Sequence, residues 1–146
     1  MTELETLKAE HDRVLPVAKS HSDRLRALSD EIERLEGTAK RQENVGRFFK
    51  YRNSRSCPSE ESDYWWIYIH VVGLDAHAKY LATEFQTIPT YSSDTQIEIN
   101  GPAMVHDFLI DGGVPIARDE YDKALAELIS DIRRRLNNIT SLVWVK

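Results

Sequence analysis

The sequence predicts an α+β protein with a long N-terminal coiled-coil helix, a small antiparallel β unit and a C-terminal amphipathic helix. Three observations carry that reading. Leu4, His11, Ala18, Leu25, Ile32 and Ala39 recur at intervals of seven, and so do Leu7, Val14, His21, Leu28, Leu35 and Gln42. The periodicity then switches from about 3.5 residues to about 2 in the middle of the chain. A narrow apolar stripe at helical spacing returns near the end: Tyr121, Leu125, Leu128, Ile132, Leu136 and Ile139. The expected divisions are residues 1–44 as a helical oligomerisation segment, 45–116 as a β domain, and 117–146 as a helix with a tail.

The two heptad series are the a and d positions of a coiled-coil seam. So polar a helix is stable in water only if its stripe is covered. Leu4, Leu7, Val14, Leu25, Leu28, Ile32 and Leu35 are therefore the expected oligomerisation residues. The alternative is a stripe folded onto the C-terminal helix of the same chain. Pro16 interrupts the segment, and a proline inside a helix costs about 3 kcal/mol. Val14 and Ala18 nevertheless keep the same phase across it, which favours one continuous, kinked helix over a break and restart at Ser20 or Ser22. Gly37 is expected to fray the end.

The β unit begins with RFFKYR (47–52), a strand, followed by a polar loop, NSRSCPSEES (53–62). DYWWIYIHVVG (63–73) is the strongest strand signal. A turn through Gly73–His77 leads into AKYLATEFQ (78–86), making a hairpin. TIPTYSSD reads as a loop, and TQIEIN (95–100) as a short strand closed by Gly101 and Pro102. AMVHDFLI (103–110) is expected to be a fifth strand or an irregular edge, and Asp111-Gly112-Gly113 a turn. Four or five strands close most simply as a small open barrel or a curled meander. A helix from Arg118 to Asn138 follows, and SLVWVK ends the chain as a strand or a docking tail.

Charge narrows the partners. Residues 1–39 sum to −3, residues 40–56 to +5 and residues 57–146 to −7. One basic island thus lies between acidic segments, which argues against a general appetite for nucleic acid and leaves room for a local anion site. Cys57 is the only cysteine, so neither a disulfide framework nor a thiolate metal site is expected. No run has the pattern of a secretory leader or the length of a bilayer span. A cytoplasmic protein without cofactor, metal or membrane partner is the expectation.

Side chains alternate across a strand. On 63–73 one face is Trp65, Ile67, Ile69 and Val71, all core-like. The other is Tyr64, Trp66, Tyr68 and His70, each with an apolar body and a polar tip, and Tyr80 can join them. Such residues are enriched at binding surfaces. With Arg52, Asn53 and Arg55 beside them, they suit a protein partner, or a base and its phosphate. The contact residues singled out are Tyr51, Arg52, Arg55, Tyr64, Trp66 and Tyr68. The competing reading is packing, with the second face lying under Leu128 and Ile132 of the C-terminal helix.

Other residues carry less. His11 and His21 on the seam could stack in an oligomer, but a partly solvated weak point in the seam is the simpler account. His70, His77 and His106 lack metal-ligand spacing, and Cys57 reads as an ordinary loop cysteine. Asp107 and Asp111 are four apart in what reads as a non-helical context. Arg133, Arg134 and Arg135 read as cations at a helix C-terminus, where they complement the dipole. No nucleophile, base and orienting group come together, so no catalytic residue is assigned.

The stretch VGRFFKYRNSRSCPSEESDYWWIYIHVVGLD, followed by FQTIP, IEIN and IARDEYDKAL, resembles small proteins encoded by bacteriophages and prophages, with a helical start, a GxxFKYRNS…CP…DYWW core and an acidic C-terminal helix. The resemblance implies a phage context, a host-cell cytoplasmic location and action by contact with a host or viral protein, such as inhibition of host defence. It implies no activity, and the expectation is a non-enzymatic homo-oligomeric interaction protein. A nucleic-acid- or nucleotide-binding module is the alternative.

Overall fold

A computed structural model describes residues 3–90 and 95–143. The chain divides into two compact units, residues 1–40 and 41–146. The first lies within one helix, α1, which runs unbroken from Glu3 to Gln42 through both Pro16 and Gly37, its last two residues falling in the second unit. At 1.5 Å per residue it is about 60 Å long. The heptad phase shared by Val14 and Ala18 is thus a property of one continuous helix, and Gly37 does not fray it. Backbone bonds from Asn44 N–H to Arg41 O and from Val45 N–H to Gln42 O turn the chain out of α1, and Gly46 adopts a positive φ of 82°.

The second unit is an open sheet with a helix on each face. Its strands are β1 (Phe48–Ser54), β2 (Tyr64–Leu74), β3 (Tyr80–Pro89), β4 (Thr95–Met104) and β5 (Val114–Ile116). They lie in the order β4-β3-β2-β1-β5, all neighbours antiparallel. The meander expectation holds for β1–β4; the barrel expectation does not. With three residues, β5 adds to the far side of β1 and cannot reach β4, so both edges stay open. Helices α2 (Asp107–Asp111) and α3 (Arg118–Val143) supply the apolar cover that closure would otherwise provide.

Two cores result. On one face Phe49, Ile67, Ile69, Val71, Tyr80 and Ala82 are buried with Leu109 and Ile110 of α2. On the other, Phe85 is buried with Tyr121 and Leu128 of α3, joined by Phe48, Tyr68 and Ile132. The β2–β3 hairpin is as expected. Its turn is tied by Asp75, whose Oδ1 accepts from the backbone N–H groups of His77 and Lys79. Ala78 takes a positive φ of 57° there.

The structure corrects several boundaries. Thr87, Ile88 and Pro89 continue β3, although Pro and Thr suggested a loop; residues 91–94 of that stretch lie outside the described residues. β4 does not stop at Gly101 but passes through a register shift opposite Ala82/Glu84, with a cis Gly101–Pro102 bond and φ of 111° at Gly101. A Cβ there would stand 2.5 Å from Ala82 O, so only glycine lets the strand bend past its neighbour. AMVHDFLI is not a strand: Ala103 and Met104 end β4, and Asp107–Asp111 is helical. Two adjacent apolar residues, Leu109 and Ile110, turn into the core from a single helical turn too short to show a period. Of the expected Asp111-Gly112-Gly113 turn, Asp111 ends α2 while Gly112 and Gly113 make the turn, and a Cβ on Gly113 would meet Leu109 O at 2.5 Å. Ser141–Val143 continue α3, while the rest of the expected tail lies outside the described residues.

Because α3 runs on past Asn138, Arg133–Arg135 are not at its C-terminal end, and the dipole account of them fails. Arg134 and Arg135 instead reach back to Asp131, and Arg135 also bonds Thr95 O and Oγ1 at the start of β4. Arg135 therefore ties α3 to the sheet edge.

Candidate interaction surface on the sheet

The aromatic face of β2 is divided between packing and solvent. Its inner half lies under α3. The His70 ring stacks on Phe48 at 4.4 Å, and Tyr121 of α3 sits tilted over Phe48 at 4.9 Å. Tyr68 stacks on Phe85 at 5.1 Å, and Tyr121 meets Phe85 edge-on at 5.2 Å. Burial disfavours the charged forms here. It pushes the His70 pKa below its usual value, with the Arg118 charge acting the same way and Asp122 opposing. It pushes the Tyr68 phenol up; Lys50 opposes, while Glu120 and Glu127 add to the rise. The packing reading thus holds for Tyr68 and His70.

The outer half is open. Trp66 is 37% exposed, and Tyr64 is half-buried. Antiparallel register puts Arg52 opposite Trp66 and Lys50 opposite Tyr68. Lys50 Nζ lies 4.9 Å from the Trp66 ring centroid, and the Arg52 guanidinium 4.2 Å from that of Tyr64. Each cation is also ion-paired. Lys50 Nζ donates to Glu120 Oε1 of α3 at 2.6 Å, and Arg52 Nη2 donates to both Glu61 carboxylate oxygens at 2.6 and 2.7 Å. The rings and guanidinium expected to await a base and a phosphate are partly engaged with each other and with carboxylates of this chain.

Four of the six singled-out residues, Arg52, Tyr64, Trp66 and Tyr68, share this face. Tyr51 does not. One residue from Arg52 on a period-two strand, it points to the opposite face, pairs with Ile67 and meets Phe108 edge-on at 5.7 Å. Tyr80 likewise lies on the Ile69 side, buried, with its hydroxyl accepting from Asn44 Nδ2 at 2.8 Å. Trp65, expected in the core, is half-buried at its margin, where its indole N–H donates to Gln86 Oε1 at 2.7 Å. Arg55 is in the loop after β1. Its Nη2 donates to Pro89 O at 2.7 Å and its Nη1 lies 3.7 Å from Asp63 Oδ1. It helps line a separate cavity of about 690 Å³ with exposed Cys57, Ser59 and Asp63.

Beside Trp66 a groove of about 340 Å³ opens between the sheet and α3, lined by Tyr68, Phe85 and Thr87 on one side and by Ala124, Glu127, Leu128 and Asp131 on the other. Lys50, Glu120 and Glu127 are the participants that sequence reasoning missed. Lys50 was within reach, since it shares a strand face with Arg52. The two glutamates were not, because the rotation of α3 on the sheet is not written in its stripe alone.

In the helical unit, the seam residues Leu4, Leu7, Val14, Leu25, Leu28, Ile32 and Leu35 are between 48% and 68% exposed. His11 pairs with Asp12 at 3.2 Å in solvent. Glu31 is bonded by Arg34 Nε and Nη2 at 2.8 and 2.7 Å, which lowers its pKa. Within the second unit, Asp107, helical rather than in the expected non-helical context, bonds Arg41 at 2.8 Å. Among the described residues no helix is long and apolar enough to cross a membrane, and no group of three or more His, Cys, Asp or Glu is placed to hold a metal ion. No family model matches the chain, and no curated protein or solved structure is significantly similar to it.

Proposed function

We propose that this is a non-enzymatic interaction protein that assembles with copies of itself through α1 and presents the sheet of its second unit to a partner. The observation that carries the reading is the exposed seam. Seven aliphatic side chains at heptad spacing stand in solvent on a 40-residue helix. A stripe of that kind is stabilised by knobs-into-holes packing against a second copy. The partner reading draws on the half-open face of Tyr64, Trp66 and Tyr68, and the host or viral nature of the partner rests on the phage resemblance. A cytoplasmic location belongs to the same reading.

Light scattering on the full chain tests the assembly. The expected mass is a multiple of 16.9 kDa, and Leu25→Asp with Leu28→Asp is expected to return the chain to one copy. A full-length monomer would overturn the reading. The alternative, a nucleic-acid or nucleotide module, is less well served, because Lys50 and Arg52 are already paired with Glu120 and Glu61. It requires a salt-sensitive electrophoretic shift with DNA or RNA.

A further inference from the structure

The groove beside Trp66 combines three features that suit one kind of guest. Its floor is aromatic, with Tyr68 stacked on Phe85, and Leu128 makes part of its α3 wall. That wall also carries two carboxylates one helical turn apart, Glu127 and Asp131, and these differ in their partners. Asp131 is engaged by Arg134 and Arg135. Among the described residues the ion pairs of α3 occupy Glu120, Asp122 and Asp131 and leave Glu127 without one. Finally, the indole at the groove's end takes a cation on its ring already, with Lys50 Nζ 4.9 Å from its centroid.

An electron-rich ring, an apolar floor and a free carboxylate together recognise a cation on an apolar stem. An anion would meet the carboxylate of Glu127, which has no ion pair of its own among the described residues, and be repelled. A wholly apolar guest would leave the Glu127 carboxylate desolvated without compensation. We propose that this groove receives a single arginine or lysine side chain from a basic segment of a partner protein. Its stem lies along Phe85 and Leu128, and its charged head sits between Trp66 and Glu127. The volume is at the lower end for small-molecule sites, about 300 Å³ upward, which fits one side chain better than a folded element. The second unit, residues 41–146, carries 12 basic and 15 acidic side chains, a net charge of −3, which favours the approach of a basic segment. The inference rests on the reading of the second unit as partner-binding and names that partner's chemistry.

The test uses the full chain carrying fluorotryptophan, with the Trp66 resonance in fluorine NMR assigned by Trp66→Phe. The probe is N-acetyl-arginine methylamide, with its uncharged citrulline counterpart as control. The expected result is a saturable shift of the Trp66 resonance with the arginine probe alone. Glu127→Gln, a solvent-facing change that leaves the fold intact, is expected to weaken it about fivefold. No shift, an equal shift with citrulline, or an unchanged affinity in Glu127→Gln overturns the proposal. So does a Trp66 response to oligothymidylate in place of arginine, which would assign the surface to nucleic acid. Light scattering on the same samples separates the two levels. A monomer that binds the arginine probe refutes the assembly reading alone, and an oligomer that ignores it refutes the groove alone.

Discussion

Replacing Leu128 by alanine tests whether α3 truly covers the aromatic face. Leu128 is 5% exposed and packs with Phe85 and Tyr121. A buried Leu→Ala change costs about 2 to 5 kcal/mol, depending on how much void remains. Leu128 also lines the groove, so part of the space it vacates opens to water instead of staying empty. That places the loss toward the lower end, about 2.5 kcal/mol. For a unit of this size the thermal midpoint should fall by about 10 °C. Ile129, its neighbour, is 41% exposed, and Ile129→Ala should cost less than about 1 kcal/mol. Urea titrations followed by near-ultraviolet circular dichroism read the aromatic cluster directly. If the two variants differ by less than about 0.5 kcal/mol, α3 is not holding the sheet. The groove, and the division of the face into packed and open halves, would then both be wrong.

Four further outcomes are expected. The unfolded chain binds a proton on His70 more tightly than the folded one does, since burial lowers the folded pKa. The stabilisation is therefore complete above the ordinary histidine pKa of about 6.5 and is lost as pH falls through the lower folded value; urea midpoints should drop between neutral and mildly acid pH, and His70→Phe should flatten that drop. Gly101→Ala should destabilise the second unit by more than about 1 kcal/mol in the same titrations, because of its φ of 111° and a Cβ at 2.5 Å from Ala82 O. Gly37→Ala, with nothing within 4 Å, should by contrast raise far-ultraviolet helical signal and stabilise α1 by up to about 1 kcal/mol. Trp66→Ala should keep the thermal transition within about 1 kcal/mol of the parent and abolish capture of the basic probe by the full chain; loss of the transition itself would make Trp66 a core residue and sink the partner-surface reading.

How much was legible follows from what a linear pattern can encode. The α1 seam, the two faces of β2 and the α3 stripe are repeats within single elements, and burial against any apolar neighbour selects for them whatever that neighbour is. So the α+β class, the hairpin and the division of β2 into Ile67/Ile69/Val71 and Trp66/Tyr68/His70 could be read from sequence. β5 and α2 could not, since three and five residues do not complete a period. Nor could the open edges of the sheet, whose two faces are covered by α2 and α3.

The site shows the same boundary. By itself the sequence determined that Tyr64, Trp66, Tyr68 and His70 share a face, because successive side chains on a strand must alternate. The same alternation already separates Tyr51 from Arg52 within 47–52, but which of them faces Trp66, and that Lys50 and Arg52 cover two of the rings, follows from the pairing of β1 with β2. Only tertiary structure decided that α3 partly covers His70 and Tyr68, leaves Trp66 open and sets Glu127 beside it. Those outcomes depend on where a helix comes to rest on a sheet, and that placement arises from contacts between residues far apart in the chain, on which no local repeat acts.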